Sequence, residues 1–367
     1  MSNSEAGDTD SPAFEWRIGA PEQQGFARRD VDALVERLAT LDTQALLIVR
    51  RDQIVCEWYA PGWHVARPRG SASLAKALVG GMSLIVALGD GLLRADDHAA
   101  AFVPQWRGDP LRSQITIRHL ATHTSGLADA DHDVDPAHPQ HGWMAHFWQR
   151  EPDPFTIARD RAPLLFPPGT AYQYSNPGMA MLGYCVTAAL RDAPQRDLRT
   201  LLQERVYGPI GLTAAEWSIG YGTPYLVDGL ALWATWGGGA FTARAVARIA
   251  RLMLRRGDWN GRQLLIPAQV TAALTSTDLP LPDRTRDTHA PASGLCWYLN
   301  EDGVWPQIPR DAFAGTGAGH QLLLVVPSLD LIVVRLGQPL ADAAQTGFWD
   351  AAYAHVLAGV VSACGER

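Results

Sequence analysis

Lysine is nearly missing from this chain. Of its 31 basic side chains thirty are arginine, and the single exception is Lys76. Arginine keeps its proton at any pH a protein meets, whereas lysine can shed its charge when it is desolvated or set beside another cation. The scarcity therefore leaves one side-chain amine able to act as a base, and it marks position 76 as a place where arginine does not serve.

Other absences bound the function. Cys56, Cys185, Cys296 and Cys364 are far apart, form no C-x-x-C pair and have no histidines at matching spacing. That excludes a zinc ribbon and a compact disulfide framework, and leaves the four as small interior hydrophobes. Positive charge is not in excess: the formal net charge is −7 with the arginines scattered, so neither nucleic acid nor an anionic membrane is an expected partner. The longest apolar run, Leu78 to Gly89, is interrupted by Gly80, Gly81 and Ser83 and falls short of a bilayer span. Met1 to Pro12 is acidic and polar and lacks the basic start and apolar stretch of a secretory signal, which points to the cytoplasm. No internal repeat is visible.

What is present reads as a globular protein large enough for two domains, or one with a large insertion. Residues 1–14 read as a disordered lead, and Val31 to Leu41 has helical periodicity. Ala45–Arg50 and Gln53–Tyr59 are strand-like and are joined by the short turn Arg51-Asp52. From residue 73 to about 230 the pattern is helices and loops, with turn residues at Pro167-Pro168-Gly169 and Asn176-Pro177-Gly178. Strand signals return at Leu295–Leu299, Gln321–Val326 and Leu331–Leu336, and Phe348–Val361 closes as an apolar-striped helix. Strands at both ends with helices between predict a sheet domain built from 15–72 and 231–367, a mainly helical domain over 73–230, and a pocket where the two meet.

The chemistry concentrates in three stretches. Ser73 stands three residues before Lys76, in a run of good helix formers that Ser71 or Ser73 can cap. That spacing puts both side chains on one helix face, near an N-terminus whose partial positive charge favours an alkoxide and a neutral amine. Tyr174-Ser175-Asn176 lies in a tight loop and offers a phenol able to pass a proton and an amide able to bond both Lys76 and a substrate carbonyl. Gly315-Thr316-Gly317-Ala318-Gly319-His320-Gln321 supplies glycines that let an edge strand approach another segment closely. The acidic, histidine-bearing stretch of Asp129, Asp131, His132, Asp133, Asp135, His138 and His141 matches no known metal-ligand spacing and reads as a solvated loop or a flap. Trp233, Trp236 and Trp297 read as core, with an apolar acyl pocket as the other possibility.

In this order, Ser73-Leu74-Ala75-Lys76, Tyr174-Ser175-Asn176 and the glycine-rich third element resemble the serine hydrolases built on the class C β-lactamase fold. That family includes penicillin-binding DD-peptidases, β-lactamase-like carboxylesterases and 6-aminohexanoate-dimer hydrolases. Ile117 to Leu127, with His123 as a structural residue, Trp236-Gly237-Gly238-Gly239, and Gly319 through Pro327 to Arg335 are similar to the same family. The likeness extends over roughly residues 20 to 360. It implies an α/β (α+β) fold of the β-lactamase/transpeptidase type, an antiparallel sheet flanked by helices plus an all-helical domain. It further implies a serine hydrolase acting on a small ester or amide, without metal or organic cofactor, as a monomer or homodimer. On this resemblance Ser73 is the nucleophile, Lys76 and Tyr174 are the proton relay, and Asn176, Gly317, Ala318, Gly319 and His320 line the substrate and oxyanion site.

One departure separates the subfamilies. Lactamases and DD-peptidases usually carry K-T-G at the third motif, whereas this chain has Gly315-Thr316-Gly317. Loss of a charge-assisted bond to a substrate carboxylate costs about 1.5 to 3 kcal/mol, unless His320 or an arginine stands in. The expected activity is therefore carboxylesterase-like or 6-aminohexanoate-oligomer-hydrolase-like. The alternatives are a β-lactamase or DD-peptidase, or a slowly deacylating binding or sensor protein.

Overall fold

Strands that are apolar along their whole length need cover on both faces. Thr43–Arg50, Phe313–Gly317, Gln321–Val326 and Leu331–Gly337 are of this kind, buried almost throughout. The computed structural model describes residues 14–130, 142–276, 278–341 and 345–364. In it these strands form the centre of an eight-stranded sheet, ordered 17–18, 53–59, 43–50, 331–337, 321–326, 313–317, 298–299 and 292–293. All neighbours pair antiparallel except Arg17–Ile18, which runs parallel to Gln53–Tyr59, so the sheet is mixed rather than wholly antiparallel. The 51–52 turn has φ of 51° and 59°, the left-handed pair that matches the strand twist of a two-residue hairpin.

Alternate residues feed two cores. Leu46, Ile48, Leu322, Leu324 and Val333 face the terminal helices Arg28–Ala39 and Phe348–Ala352 with its continuation to Ala363. Leu47, Val49, Leu323, Val325 and Val334 face the larger body, packing with Leu74, Met82, Met179 and the Ala243–Leu254 helix. The Leu295–Leu299 expectation is shortened: Cys296 takes φ 67° and only Ala292–Ser293 and Tyr298–Leu299 pair. Cys185, Cys296 and Cys364 are buried as expected, but Cys56 is half-buried, and the cysteines are free. Residues 1–13 of the expected N-terminal lead, and the stretch from Asp131 to His141, lie outside the described residues. Phe14 is ordered against Trp16 and Trp259.

The stretch around Lys76 differs from expectation in two ways. Ala72–Gly89 is one helical run, made of a 3-10 turn at Ala72–Leu74, a widened π segment at Lys76–Gly81 and an α-helix at Met82–Gly89. Its glycines do not interrupt it, because they make room: a Cβ on Gly80 would meet Met179 at 2.9 Å, and one on Gly81 the Trp297 indole at 2.9 Å. By length and composition this run is apolar enough to cross a membrane, yet 83% of it is buried inside the protein, as a core helix is. Second, neither serine caps it. The 69–70 strand pairs with 240–241, so Ser71 turns its hydroxyl to Gly238 O at 2.7 Å, and Ala72 enters the helix at φ 46°.

That entry is clamped by backbone with no room for a side chain. Gly239 has φ 70°, and a Cβ there would lie 2.3 Å from Ser218 O, so Gly239→Ala carries both a left-handed penalty and a clash. Gly62, at φ 82° with open space around it, carries the first alone. Chemical denaturation should show Gly62→Ala losing about 1–2 kcal/mol and Gly239→Ala a further 1–3 kcal/mol. Equal losses would contradict the clamp.

Candidate active site

The helical run brings Lys76 Nζ to 3.1 Å from Ser73 Oγ. The Tyr174 hydroxyl reaches the same oxygen at 2.8 Å, and the Tyr174 ring sits 4.6 Å from the amine. Lys76 is buried, and its two other contacts are oxygens that can only accept: Asn176 Oδ1 at 2.7 Å and Trp236 O at 2.7 Å. Burial drives the lysine pKa down to about 7, and the negative charge of Asp129 only partly opposes it. These partners suit an uncharged amine. Two N–H bonds go to the two carbonyl oxygens, and the lone pair is left for the Ser73 O–H, the one partner of the three able to donate.

The Tyr174 loop rests on the 117–126 segment. Thr116 and His119 cap each other at the start of Ile117–Ala121, and the chain then turns so that Gln173 N donates to His123 O at 2.8 Å and Ser175 N to His123 Nδ1 at 3.2 Å. Burial lowers the His123 pKa to about 3, so the ring stays neutral and keeps Nδ1 as an acceptor. It lies against Tyr174 with centroids 4.7 Å apart. Ser175 in turn caps Asn176–Ala189, its Oγ accepting from Gly178 N at 2.8 Å.

The third motif lies against the nucleophile turn. A Cβ on Gly317 would meet Ser71 O at 2.4 Å and Ser73 N at 2.8 Å. On the Phe313–Gly317 strand Tyr298–Leu299 reaches only Phe313 and Ala314, so among the described residues the 315–317 half has no strand partner on that side. The strand is an edge there and not along its length. Ser73, Tyr174, Thr316, Gly317 and Ala318 open onto a cavity of about 550 Å³, whose lining also includes Tyr172, Tyr298, Phe348 and Trp349, with Asp283 and Asp287.

Gly319 and His320, expected at the site, are not among the residues lining the cavity. His320 is stacked on Phe348 at 4.2 Å, with Nδ1 accepting from Leu340 N and Nε2 donating to Phe348 O. Burial lowers its pKa to about 4, so it is no stand-in cation. Gly319 serves the same turn, at φ 77° beside Gly337 O. Arg335 does not fill the role either: buried under the turn, it donates to Gly319 O, His320 O, Leu41 O and Thr43 Oγ1. Asn176 Oδ1 accepts from Lys76 at 2.7 Å, while Nδ2 donates to Asp129 Oδ1 at 3.0 Å instead of turning to a substrate. Trp236 and Trp297 are core residues, Trp236 among Phe147 and Phe155, and the Trp233 indole donates to Asp197. Sequence reading missed Asp129, whose acidic surroundings look solvated, and the aromatic wall, whose Phe348 and Trp349 pass for a helix stripe. Among the described residues no three histidine, cysteine, aspartate or glutamate side chains gather as metal ligands.

A serine hydroxyl held between a buried amine and a phenol, on a mixed sheet with a helical body, defines a class of serine hydrolases. The Beta-lactamase family model matches residues 31–342, and the chain belongs to that family. Among solved structures, a Bacillus anthracis protein provisionally named a 6-aminohexanoate-dimer hydrolase superposes with TM-score 0.71 at 17% identity, over 95% of this chain and 87% of that one. A family VIII carboxylesterase does so with TM-score 0.68 at 14% identity, over 95% and 98%. These likenesses carry the β-lactamase/transpeptidase fold. By sequence, a D-aminopeptidase of Cereibacter sphaeroides is 34% identical over 142 residues, 36% of this chain and 23% of that protein. The chain thus spans less than a quarter of that relative's length.

His123 provides the check on this architecture. His123→Ala leaves Ser175 N without its acceptor in the interior, which should cost about 1–3 kcal/mol of stability in a urea melt. An unchanged midpoint would show that the imidazole does not carry the Tyr174 loop.

Proposed function

We propose that this hydrolase cleaves small esters or amides lacking a carboxylate at the recognition end, through an acyl-enzyme on Ser73. Lys76, as the free amine, accepts the Ser73 proton while Oγ bonds to the substrate carbonyl carbon. Backbone N–H groups of Ser73 and Ala318 hold the oxyanion, each worth about 2.7 to 4 kcal/mol. The proton returns through Tyr174 to the departing alkoxide or amine. Water then attacks the acyl carbon, giving up its proton to the Tyr174–Lys76 pair, and Ser73 Oγ leaves with a proton. Asn176 holds Lys76 in place from its Oδ1.

The observation that carries this reading is the 3.1 Å and 2.8 Å approach of one amine and one phenol to the Ser73 hydroxyl. Substrate polarity is supported by the cavity wall: among the described residues its lining includes Asp283 and Asp287 and no lysine or arginine. A β-lactam or peptide carboxylate would meet like charge there, which favours the esterase or linear-amidase reading over the lactamase one. The expected division into a sheet part and a helical part fits this cleft, with Ser73 and Tyr174 contributed by one and Gly317 and Ala318 by the other.

Lys76→Arg, with its folding checked by thermal melting, should lose ester turnover by about 10²- to 10⁴-fold. A fluorophosphonate should label the peptide containing Ser73. Retained turnover, or an adduct elsewhere, would refute the assignment. The proton acceptor sets the pH dependence: Lys76 is free above about pH 7, so kcat/KM should rise through pH 7 and level off above it. A profile flat from pH 5 to 9 would contradict the base. On p-nitrophenyl acetate the enzyme reading gives steady turnover, whereas a burst without turnover would favour a slowly deacylating sensor.

A further inference from the structure

Asp129 lies in a stretch whose composition suggests surface, yet its carboxylate points inward to Asn176. Its Oδ1 accepts from Asn176 N at 2.7 Å and from Asn176 Nδ2 at 3.0 Å, with Oδ2 at 3.4 Å from Nδ2. An amide has one accepting end and one donating end, and its two ends here meet Lys76 and a carboxylate. A carboxylate only accepts, so Nδ2 must take that side, and Oδ1 is then committed to the amine. With Asp129 removed the amide is free to turn Nδ2 toward Lys76, where donor would face donor.

We propose that Asp129 is a positioning residue of this centre: it fixes the Asn176 amide so that Oδ1 faces the Lys76 amine, and it supplies a negative charge close to that amine. The inference rests on the Ser73–Lys76 reading above and adds to it how the amine's ionisation is set.

Among the described residues, the titratable groups bearing on Lys76 are Asp129, Cys296, His123 and Tyr174. Burial raises the Cys296 thiol well above its ordinary value and lowers the His123 imidazole to about 3, so both are uncharged at neutral pH. Burial favours the free amine, and Asp129 favours the ammonium. The carboxylate therefore keeps the titration of Lys76 near neutrality instead of letting it fall further. Without that charge the amine should be free at lower pH.

The test uses the full chain with its one lysine labelled at the ε carbon, so that a single resonance reports the amine. In Asp129→Asn the hydrogen-bond acceptor remains and the charge goes. The lysine midpoint and the acid limb of kcat/KM should both move down by roughly one pH unit. In Asp129→Ala the acceptor goes as well. The midpoint should fall likewise, and plateau kcat should drop roughly ten- to a hundredfold with KM for a neutral ester unchanged, as expected when a reacting group is mispositioned. A wild-type midpoint in folded Asp129→Asn overturns the charge role, and wild-type kcat in folded Asp129→Ala overturns the positioning role. If Asp129→Ala does not fold, Asp129→Asn decides alone. Because the lysine resonance is read without substrate, failure of the hydrolase reading, seen as no adduct on Ser73, is distinguishable from failure of this one.

Discussion

An amine buried among three oxygens is the constraint on which the rest of the structure depends. Removing an ammonium from water is expensive, and proteins generally meet the cost by pairing the charge or by giving it up. Among the described residues no carboxylate touches the nitrogen; its partners there are an amide oxygen, a backbone carbonyl and a hydroxyl. Such a shell serves a free amine with two N–H bonds and one lone pair. It also explains why arginine, which fills every other basic position of the chain, is absent from this one.

The fold is arranged to hold that shell from several directions. The entry to the nucleophile turn is fixed by short strand pairing and by the glycine backbone at 238 and 239, where any Cβ would strike Gly220 O or Ser218 O. The carbonyl of Trp236, just before these glycines, then falls on Lys76. The neutral His123 ring supports the Tyr174 loop, and from the sheet Gly317 comes in against the Ser73 backbone. Each approach is at backbone range, so the geometry is set by main chain and glycine more than by long side chains. That makes it stiff.

How legible this was in the sequence follows from the physics of each part. Gln321–Val326 and the 53–59 strand could be read with their bounds because an apolar, β-branched run bounded by turn residues has few other uses. Ser73, Lys76 and Tyr174 could be singled out because a lone lysine is a compositional anomaly. The continuous helix through Gly80 and Gly81 was hidden, since glycine reads as a breaker unless one knows that Met179 and Trp297 need the space. His320 was expected in the cavity lining but is held behind it, at φ 51° and stacked on the lining residue Phe348. Asp129 was hidden by its neighbours: local charge suggests solvent, and only the long-range contact to Asn176 shows otherwise.

All of this reduces to the protonation of one nitrogen, and the sequence makes that nitrogen uniquely observable. With a single lysine in the chain, a carbon-13 ε-labelled sample gives one lysine resonance in the folded protein. Its chemical shift followed from pH 5 to 11 should titrate with a midpoint near 7, far below the ordinary lysine value of 10.5. A midpoint above 10 would mean an ammonium at neutral pH, and would contradict the account of Ser73 activation at its root.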